Sequence, residues 1–492
     1  MLTALTRNEI RQAELNAING GVTEIDLIER AGLALFGCAN FVDKKTVIFC
    51  GSGKNGADGL ALACNLMRNG LEVNVILLFD KICEEGKHFF DKYVKLQGKY
   101  KKYVEHEIID ADIIVDCIFG TGLNKVVDGI ALSAINDINI SDAFVVSADI
   151  PSGLDADTGE VLGVAVKADL TVSFSQCKVG YELGSGRDFV GEVVYADMPI
   201  PMFNGKVNFL DESDIVLKHR NVNMHKGSAG RVYIIAGSPT FIGAAILAER
   251  AACAALKSGS GLVTLVVPHS LREVYQKRVI ECTLSFLPDN EGSILFDKFM
   301  LDTIIEKADV ICIGMGLGTN SELSTIVQYL IDSFDKPIVI DADAINCLSG
   351  KQVKFKPNVI LTPHVKEFER LLGRKIVNPI NDGKEFVKIN NVNLHLKSTC
   401  SLTFSPYTDC ILGNRTLGNE LAKGGSGDVL SGIISALAVD CPNEELGISV
   451  ALAAEIHRRA AHQATNNQNE RSVLASEVVD ELGYYLKNVH EE

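Results

Sequence analysis

Short apolar runs without polar alternation recur between Lys44 and Asp197, separated by longer stretches with helical spacing. A strand needs such an unbroken run when helices cover both of its faces, as they do in a parallel sheet. The pattern therefore predicts a doubly wound α/β domain. The predicted strands span 46–50, 73–79, 113–117, 144–148, 170–174 and 193–196, and the predicted helices span 23–36, with Thr23 as the N-cap, and 55–69.

The same alternation restarts after the segment Met198-Pro-Ile-Pro-Met-Phe-Asn-Gly, in which two prolines and a glycine predict a domain exit. A chain of 492 residues is also too long for one hydrophobic core. We therefore expect two doubly wound α/β domains, over 1–207 and 215–492, joined by a linker over 208–214. In the second domain the predicted strands span 231–236, 262–267, 310–313, 337–340 and 358–361, and the predicted helices span 243–258, 428–439 and 446–463.

The charge and the apolar pattern disfavour several classes of function. A net charge of −16 disfavours a protein that binds nucleic acid along the phosphate backbone, because such a protein needs a basic face. No apolar stretch reaches the ~18 residues of a membrane-spanning helix, and the N-terminus has no apolar signal core. The thirteen cysteines are scattered singly, several of them within apolar runs, which is typical of buried, reduced thiols. We therefore expect a cytoplasmic protein with no nucleic-acid or membrane partner.

A glycine-rich turn, Gly51-Ser-Gly-Lys-Asn-Gly-Ala-Asp-Gly59, follows the first predicted strand and opens a helix. Gly51, Gly53 and Gly56 fit the G-x-G-x-x-G spacing, in which bare backbone approaches a phosphate at a helix N-terminus. The same spacing also suits a tight strand-to-helix turn without a ligand. Spacing alone leaves a dinucleotide-binding loop and a purely structural turn equally open.

Two aspartates stand at the ends of other strands in this predicted sheet. Asp116 begins the segment 116–123, Asp149 begins the segment 149–159, and a third polar turn covers 174–180. The carboxyl ends of parallel strands meet along one crevice, where α/β proteins bind ligands. A lone acidic residue at a strand end is more often a helix cap or a turn former. Two of them on different strands, facing a phosphate-type turn, favour a functional site over that interpretation.

Together these segments resemble the NAD(P)H-hydrate epimerase family. The resemblance rests on Lys54-Asn-Gly-Ala-Asp-Gly, Asp116-x-x-Phe-Gly-Thr-Gly-Leu, Asp149-Ile-Pro-Ser-Gly and Lys167-Ala-Asp-x-Thr-Val-Ser-Phe. It implies a Rossmann-like epimerase domain, in which we expect Asp149 to be the catalytic acid–base residue. It also implies a potassium ion held by Asn55, Asp116 and Ser152, which offer the hard oxygen donors that such a cation prefers. By the same resemblance, the residues that contact the hydrated nucleotide would be Lys54, Asn55, Gly56, Ala57, Asp58, Gly120, Thr121, Gly122, Leu123, Asn124, Lys125, Val126 and Asp149.

The C-terminal half contains a second glycine-rich helix start, Gly424-Gly-Ser-Gly-Asp-Val-Leu-Ser-Gly-Ile-Ile434. Consecutive backbone N–H groups and the positive end of the helix form a cradle for developing phosphate charge. Asp428 at the edge of this cradle is a candidate general base, and the helix dipole is expected to keep its carboxyl ionised near neutral pH. The alternative is that Asp428 is only an acid of the first helical turn. So many glycines in one turn favour the functional interpretation.

Other strand ends supply further polar residues, among them His364, which would equally suit a histidine with a purely structural role. The segments Lys226-Gly-x-x-Gly-Arg, Gly243-Ala-Ala, Gly314-Met-Gly-Leu-Gly, Thr362-Pro-His, Leu396-Lys and Gly424-Gly-Ser-Gly-Asp are similar to the ribokinase-like superfamily, in the branch of ADP- or ATP-dependent NAD(P)H-hydrate dehydratases. The resemblance implies a ribokinase-like domain with Asp428 as the catalytic residue. It implies hydrate contacts from Ala244, Gly316, His364 and Asp428, and adenine-nucleotide contacts from Lys397, Ser398, Thr399, Cys400, Ser401 and Gly427.

The two resemblances imply one reaction sequence, the repair of hydrated NADH and NADPH. The first domain would interconvert the R and S hydrates, NADHX and NADPHX. The second domain would dehydrate the S form while ADP, with magnesium, becomes AMP and phosphate. We also expect a homo-oligomer. Three other functions stay open: a Rossmann dehydrogenase in the N-terminal half, a vitamin or sugar kinase in the C-terminal half, and a non-enzymatic module that senses nucleotides.

Overall fold

The computed structural model of the chain divides into two units, Thr3–Val207 and Asn208–Glu492 with Met1–Leu2. The structure describes residues 1–217, 230–241, 244, 246–247, 250, 254, 261–318, 320–487 and 489–491. The helix predicted over 243–258 therefore lies largely outside the described residues. Elsewhere all of the predicted strands are present, with ends within two residues of the prediction.

Seven parallel strands form the main sheet of the N-terminal unit. This confirms the doubly wound α/β fold that the unbroken apolar runs predict. The strand at one edge, Lys99–Lys102, was not predicted from the apolar pattern, because its four residues are all exposed. In spatial order the strands are Lys99–Lys102, Val73–Leu77, Thr46–Cys50, Ile113–Cys117, Phe144–Ala148, Leu170–Phe174 and Glu192–Ala196.

Helices cover both faces of this sheet, so alternate residues of one strand enter different apolar clusters. Ile48 packs in the cluster that contains Leu60 and Leu35, whereas its neighbour Phe49 packs in the cluster that contains Ile135. Thr23 caps its helix as predicted, since its hydroxyl accepts a hydrogen bond from the Asp26 backbone at 3.1 Å. The helices are Arg7–Asn19, Glu24–Cys38, Lys54–Arg68, Glu84–Lys95, Gly129–Asn139 and Gly186–Phe189, with a 3-10 turn at Val179–Tyr181, and two short strands, Leu2–Leu5 and Cys177–Lys178, pair in parallel.

The C-terminal unit is built on a sheet whose first strands are parallel and whose last two are antiparallel. The antiparallel pair follows the strand Asn393–Leu396 through short turns rather than helices. In spatial order the strands are Thr283–Leu287, Leu262–Pro268, Arg231–Ile235, Val310–Ile313, Ile338–Ile340, Val359–Leu361, Asn393–Leu396, Ser401–Phe404 and Ile411–Asn414.

The residues between the two predicted domains are structured. Residues 208–214, predicted as a linker, include part of the strand Val207–Phe209 and the 3-10 turn Glu212–Asp214. Phe209 is buried, and the Leu210 backbone N–H donates to the Gly413 carbonyl at 2.9 Å. The described helices of this unit are Arg272–Gln276, Lys298–Lys307, Ser321–Ser333, Ala342–Leu348, Val365–Leu372, Pro379–Asn390, Ser426–Leu437, Leu446–Ala464 and Ala475–Leu486, with 3-10 turns at His269–Leu271, Asn443–Glu445, Thr465–Asn467 and Glu470–Ser472, and short strands at Val216–Leu217, Asp289–Asn290, Ser293–Ile294 and His490–Glu491.

Burial of the strand cysteines follows from the same architecture. Cys50, Cys117 and Cys312 are buried free thiols at positions where helices cover the sheet, as predicted for cysteines in apolar runs.

No helix among the residues that the structure describes is both long and apolar enough to cross a bilayer.

A close crossing of two helices in the N-terminal unit gives a test of this packing. A Cβ atom on Gly32 would lie 2.6 Å from the Ala61 Cβ, whereas a Cβ on Gly37, in the same helix, would meet nothing within 4 Å. We expect Gly32→Ala to lower the free energy of unfolding by about 1–3 kcal/mol, because the two helices must separate. Gly37→Ala should raise it by about 0.5–1 kcal/mol through helix propensity. Equilibrium urea denaturation measures both, and equal effects of the two substitutions would contradict the close crossing.

Candidate active sites

The glycine-rich turn of the N-terminal unit is tight and also leaves a helix N-terminus open. A Cβ on Gly51 would lie 1.9 Å from the Ile118 carbonyl oxygen, and one on Gly56 would lie 2.1 Å from the Gly51 carbonyl oxygen. Those two glycines are therefore required by the packing of the turn itself. Gly53 has open space around its Cα, and it precedes the helix Lys54–Arg68 without a side-chain cap. The uncapped N–H groups of the first turn remain available to an anionic ligand.

The first residues of this helix have different environments. Lys54 is half-exposed and forms an ion pair with Glu24 at 2.7 Å. Asn55 and Asp58 are buried at the same helix start. Ala57 is fully buried within the apolar core, so a contact of this residue with a substrate would involve its backbone.

Asp116 is a fully buried carboxylate with four hydrogen bonds. Its two oxygens accept from the Ser152 hydroxyl at 2.6 Å, the Ser152 backbone at 2.8 Å, the Ser147 hydroxyl at 3.0 Å and the Ile118 backbone at 3.2 Å. Burial raises the pKa of Asp116, although the hydrogen bonds from Ser152 act in the opposite direction. The structure thus brings two of the three predicted cation ligands, Asp116 and Ser152, into direct contact.

Asn55, the third predicted ligand, lies beside the loop that follows Asp116. A Cβ on Gly120 would lie 3.4 Å from the Asn55 Cβ. The residue before it, Phe119, donates its backbone N–H to the Ser152 hydroxyl at 2.8 Å. The loop 120–126 therefore starts at the helix N-terminus and continues to the surface, where Val126 is exposed.

A buried lysine holds the candidate acid–base residue. The Lys178 ammonium donates to Asp149 Oδ1 at 2.5 Å and to the Ser173 hydroxyl at 2.9 Å, and the side chain is only 1% exposed. Asp149 itself has a left-handed backbone (φ 66°), and its Oδ1 also accepts from the Phe174 backbone at 2.9 Å. Lys178 was not selected from the sequence, although it lies in the polar turn 174–180. The only available signal was a lysine inside a buried strand end.

Two further carboxyl groups influence the same region. Burial raises the pKa of Asp58 well above its ordinary value, and the negative charge of Asp149 raises it further. Burial also raises the pKa of Glu14, again with a contribution from Asp149. A protonated acid near Asp149 can donate a proton to a substrate. Glu14 belongs to the helix Arg7–Asn19, where no motif marks it in the sequence.

The glycine-rich helix start of the C-terminal unit lies against a buried ion pair. The Lys397 ammonium donates to Asp341 Oδ1 at 2.7 Å, and the Ser431 hydroxyl donates to Asp341 Oδ2 at 2.8 Å. A Cβ on Gly427 would lie 3.3 Å from the Lys397 ammonium, so the backbone of this helix start and the lysine are neighbours. Burial opposes ionisation of Asp341, but the charge of Lys397 and the hydrogen bonds from Lys397 and Ser431 together lower the pKa of Asp341. The helix Ser426–Leu437 has no side-chain cap at Gly425.

The pKa of the Asp428 carboxyl is higher than the sequence suggests. Burial raises the pKa of Asp428 to about 7, and repulsion from the Asp341 carboxylate adds to the effect. The expectation that this carboxyl is kept ionised near neutral pH was therefore wrong, because burial and the neighbouring Asp341 carboxylate oppose its ionisation. A carboxyl with this pKa is half ionised near pH 7, where a general base is most effective.

The remaining residues predicted to contact the hydrate occupy loops and helix ends. His364 caps the helix Val365–Leu372, where its Nδ1 accepts from the Glu367 backbone at 3.3 Å, and its side chain is 48% exposed. The adjacent Pro363 carbonyl accepts from the Lys397 backbone at 2.8 Å, which places His364 near the ion pair. Gly316 has a left-handed backbone (φ 62°) in the turn after a strand. Ala244 is a partly buried helical residue.

A cavity of about 330 Å³ opens beside the Lys397 ion pair. Five of the six residues predicted to contact the adenine nucleotide line it, while the sixth, Cys400, is buried. The cavity has the size of a small-molecule site. Its lining includes Lys397, Ser398, Thr399, Ser401, Asn414, Glu420, Gly427, Leu430, Ala454, His457 and Arg458.

Two family models match the chain. The model described as YjeF-related protein N-terminus matches residues 24–180. The model described as NAD(P)H-hydrate dehydratase matches residues 232–483, more than half of the chain. Both candidate sites include residues within these matches.

Similar proteins match over nearly the whole chain. The bifunctional NAD(P)H-hydrate repair enzyme of Moorella thermoacetica is 32% identical over 96% of this chain and 94% of that protein. The protein of the same description from Coxiella burnetii is 31% identical over 98% of this chain and 99% of that protein. This chain belongs to the family of bifunctional NAD(P)H-hydrate repair enzymes. The predicted combination of an isomerase and a lyase in one chain is thereby confirmed.

A solved structure supports the fold of the second half of this repair enzyme. A ribokinase-like superfamily protein from Enterococcus faecalis is 22% identical in sequence and superimposes with a TM-score of 0.50. The match covers 59% of this chain and 99% of the Enterococcus faecalis protein. The predicted ribokinase-like fold is confirmed.

The raised pKa of Asp428 predicts a pH-dependent gain of stability in Asp428→Asn. In the unfolded state this aspartate releases its proton above its ordinary pKa near 4, which stabilises that state. In the folded state the proton is released only above about pH 7. Wild-type stability is therefore lost, relative to the asparagine variant, as the pH rises from 4 to 7. Urea denaturation between pH 4 and pH 8 should show an advantage for Asp428→Asn that grows up to pH 7 and is then constant. A difference independent of pH would contradict the raised pKa.

Proposed function

We propose that residues 1–207 interconvert the R and S hydrates of NADH and NADPH, and that residues 215–492 dehydrate the S form while ADP becomes AMP and phosphate. The observation that carries the second assignment is Asp428, whose carboxyl has a pKa of about 7 at an uncapped, glycine-rich helix start. Gly427 and Lys397 at the same place line a cavity that suits a nucleotide. Family membership supports both assignments.

The epimerisation needs a residue that exchanges a proton with the hydroxyl on C6 of the reduced nicotinamide ring. The lone pair of the ring nitrogen assists departure of this hydroxyl as water, and water then returns to either face. We assign the proton exchange to Asp149, which Lys178 positions through its 2.5 Å ion pair. Asp58, whose pKa is raised by burial, is the accessory acid. The helix start 54–58 and the loop 120–126 bind the nucleotide, with Lys54 and the uncapped N–H groups facing its phosphates.

The dehydration replaces a poor leaving group by a good one. Asp428 accepts the proton of the C6 hydroxyl, and the resulting oxygen attacks the β-phosphorus of ADP. The bond from this phosphorus to the bridging oxygen breaks, so that AMP leaves. The N–H groups at Gly427 and the Lys397 ammonium stabilise the charge on the transferred group. The C6–O bond then breaks with help from the ring nitrogen, phosphate departs, and loss of a proton from C5 restores NAD(P)H.

Two cations fit these sites by the chemistry of their donors. Asn55 and Ser152 would supply oxygen ligands to potassium, and Asp116, whose oxygens already accept four hydrogen bonds, would supply negative charge. A cation there would offset the charge of the nucleotide phosphates. Among the described residues no group of three or more His, Cys, Asp or Glu side chains could hold a metal. We assign the magnesium ion to the phosphates of ADP, which would carry it into the site.

Single substitutions should separate the two steps. With mixed hydrates and ADP, the wild-type enzyme should convert everything to NAD(P)H, followed by absorbance of the reduced nicotinamide. Asp149→Asn should convert only the S portion at the normal initial rate, because epimerisation is lost. Asp428→Asn should lower the dehydration kcat by at least about 10²-fold, the effect of removing a positioned base.

Separate results would reject each part of this assignment. Epimer exchange at the wild-type rate in Asp149→Asn, with spontaneous exchange subtracted, would reject the role of Asp149. Near-normal turnover in Asp428→Asn would leave this residue as a helix-start acid. A stable phosphorylated product would identify a kinase rather than a dehydratase.

The potassium site predicts a selective change in cation dependence. Asn55→Ala removes one proposed ligand and should raise the potassium concentration needed for half-maximal epimerisation. Asn65→Ala is the matched control, because Asn65 is buried in the same helix but lies near its other end, away from the helix start that contains Asn55. Titration of potassium at constant ionic strength measures both. An equal response of the two variants would reject the site at Asn55.

A further inference from the structure

Arg458 carries a hydrogen-bond donor that the protein leaves unused. The residue lies in the helix Leu446–Ala464, lines the cavity beside Lys397 and is only 7% exposed. Its Nη1 is buried and has no hydrogen-bond partner among the residues that the structure describes. An unsatisfied buried donor costs free energy, which a ligand with a suitable acceptor would recover.

The charge of Arg458 is already neutralised on its other side. Its Nε donates to Glu455 Oε2 at 3.2 Å, and its Nη2 donates to Glu455 Oε1. Glu455 is fully buried and also accepts from Asn414 at 3.1 Å. Arg458 therefore offers the cavity a directional N–H group with little net positive charge. Such a group suits a neutral acceptor, for example a ring nitrogen, better than a phosphate.

The same cavity is also lined by an unused acceptor. Glu420 is 3% exposed, and its Oε2 is buried without a hydrogen-bond partner in the described part of the chain. His457, next to Arg458, likewise has an unpartnered Nε2, and burial lowers the pKa of His457 to about 3, so the ring is neutral. An unused donor and an unused acceptor that line one cavity suit a ligand edge that carries an acceptor beside an amino group, as adenine does.

The strand order separates Arg458 from the phosphate-binding candidate Lys397. Lys397 follows the strand Asn393–Leu396, whereas Asn414, which shares Glu455 with Arg458, ends the strand Ile411–Asn414. One strand, Ser401–Phe404, lies between them. Two strand spacings separate the ends by roughly 10 Å, which is comparable to the distance from the terminal phosphate to the base in a nucleoside diphosphate. Ala454 and Leu430 line the same cavity and provide apolar surface for a flat ring.

We propose that Arg458 and Glu420 bind the adenine base of the nucleotide, with Arg458 donating to a ring nitrogen and Glu420 accepting from the amino group. This inference rests on the proposed nucleotide site at Lys397 and Gly427. It adds the residues that recognise the base and that select adenine over a purine without the amino group. Hypoxanthine places an oxygen where adenine has the amino group, and this oxygen would face the Glu420 carboxylate.

Calorimetric titration of the full-length enzyme with ADP, AMP and inosine diphosphate tests the assignment. Arg458→Met should raise the Kd of ADP and of AMP by the same factor, about tenfold, since one hydrogen bond to the base is lost from both. Arg459→Met is the matched control. Arg459 also donates to Glu455, at 2.9 Å, but it bonds Asp211 and Glu212 on its other side and should leave both Kd values unchanged. Glu420→Gln should bring the Kd values of ADP and inosine diphosphate closer together, because an amide can accept or donate.

Each alternative gives a different result. If Arg458→Met loses affinity for ADP but not for AMP, Arg458 contacts the β-phosphate and the base assignment is overturned. An unchanged Kd for ADP in Arg458→Met would also overturn it. Equal affinity of the wild-type enzyme for ADP and inosine diphosphate would overturn the role of Glu420. Failure of the wild-type enzyme to bind either ADP or AMP would instead reject the proposed nucleotide site itself. Arg458→Lys, which can keep the pair with Glu455 but lacks the second N–H branch, should reproduce the loss if Arg458→Met proves too unstable to titrate.

Discussion

Burial of the parallel strands on both faces is the constraint on which the rest of the structure depends. Because helices cover the sheets, a strand can present polar groups to a ligand only where it ends. Asp116 and Asp149 occupy such positions in the first unit, and Asp341 and Lys397 occupy them in the second. The chemistry of each unit is therefore confined to one edge of its sheet.

The two sites also share an electrostatic arrangement. In each, a largely buried lysine forms a short ion pair with an aspartate at a strand end, Lys178 with Asp149 and Lys397 with Asp341. A second carboxyl nearby then has a raised pKa, Asp58 in the first unit and Asp428 in the second. An ion pair keeps one carboxyl ionised, and burial raises the pKa of the other. This combination is a general way to obtain a base and an acid within one site.

Sequence reasoning identified features that depend on local pattern and missed those that depend on tertiary contacts. The buried strands were predictable because each is an unbroken apolar run, and Thr23 was predictable because its capping box is local. The edge strand Lys99–Lys102 was missed because it is charged and exposed. Lys178 and Glu14 reach their site only through the fold. The ionisation of Asp428 was predicted wrongly because its burial and its distance to Asp341 are invisible in the sequence.

The unusual basicity of Asp428 has a consequence for the resting enzyme. Above pH 7 Asp428 is an ionised, desolvated carboxylate beside the carboxylate of Asp341, and this arrangement makes the folded protein less stable. When a hydroxyl group gives its proton to Asp428, this local repulsion disappears. The same burial and repulsion that destabilise the ionised carboxyl thus favour transfer of a proton to it.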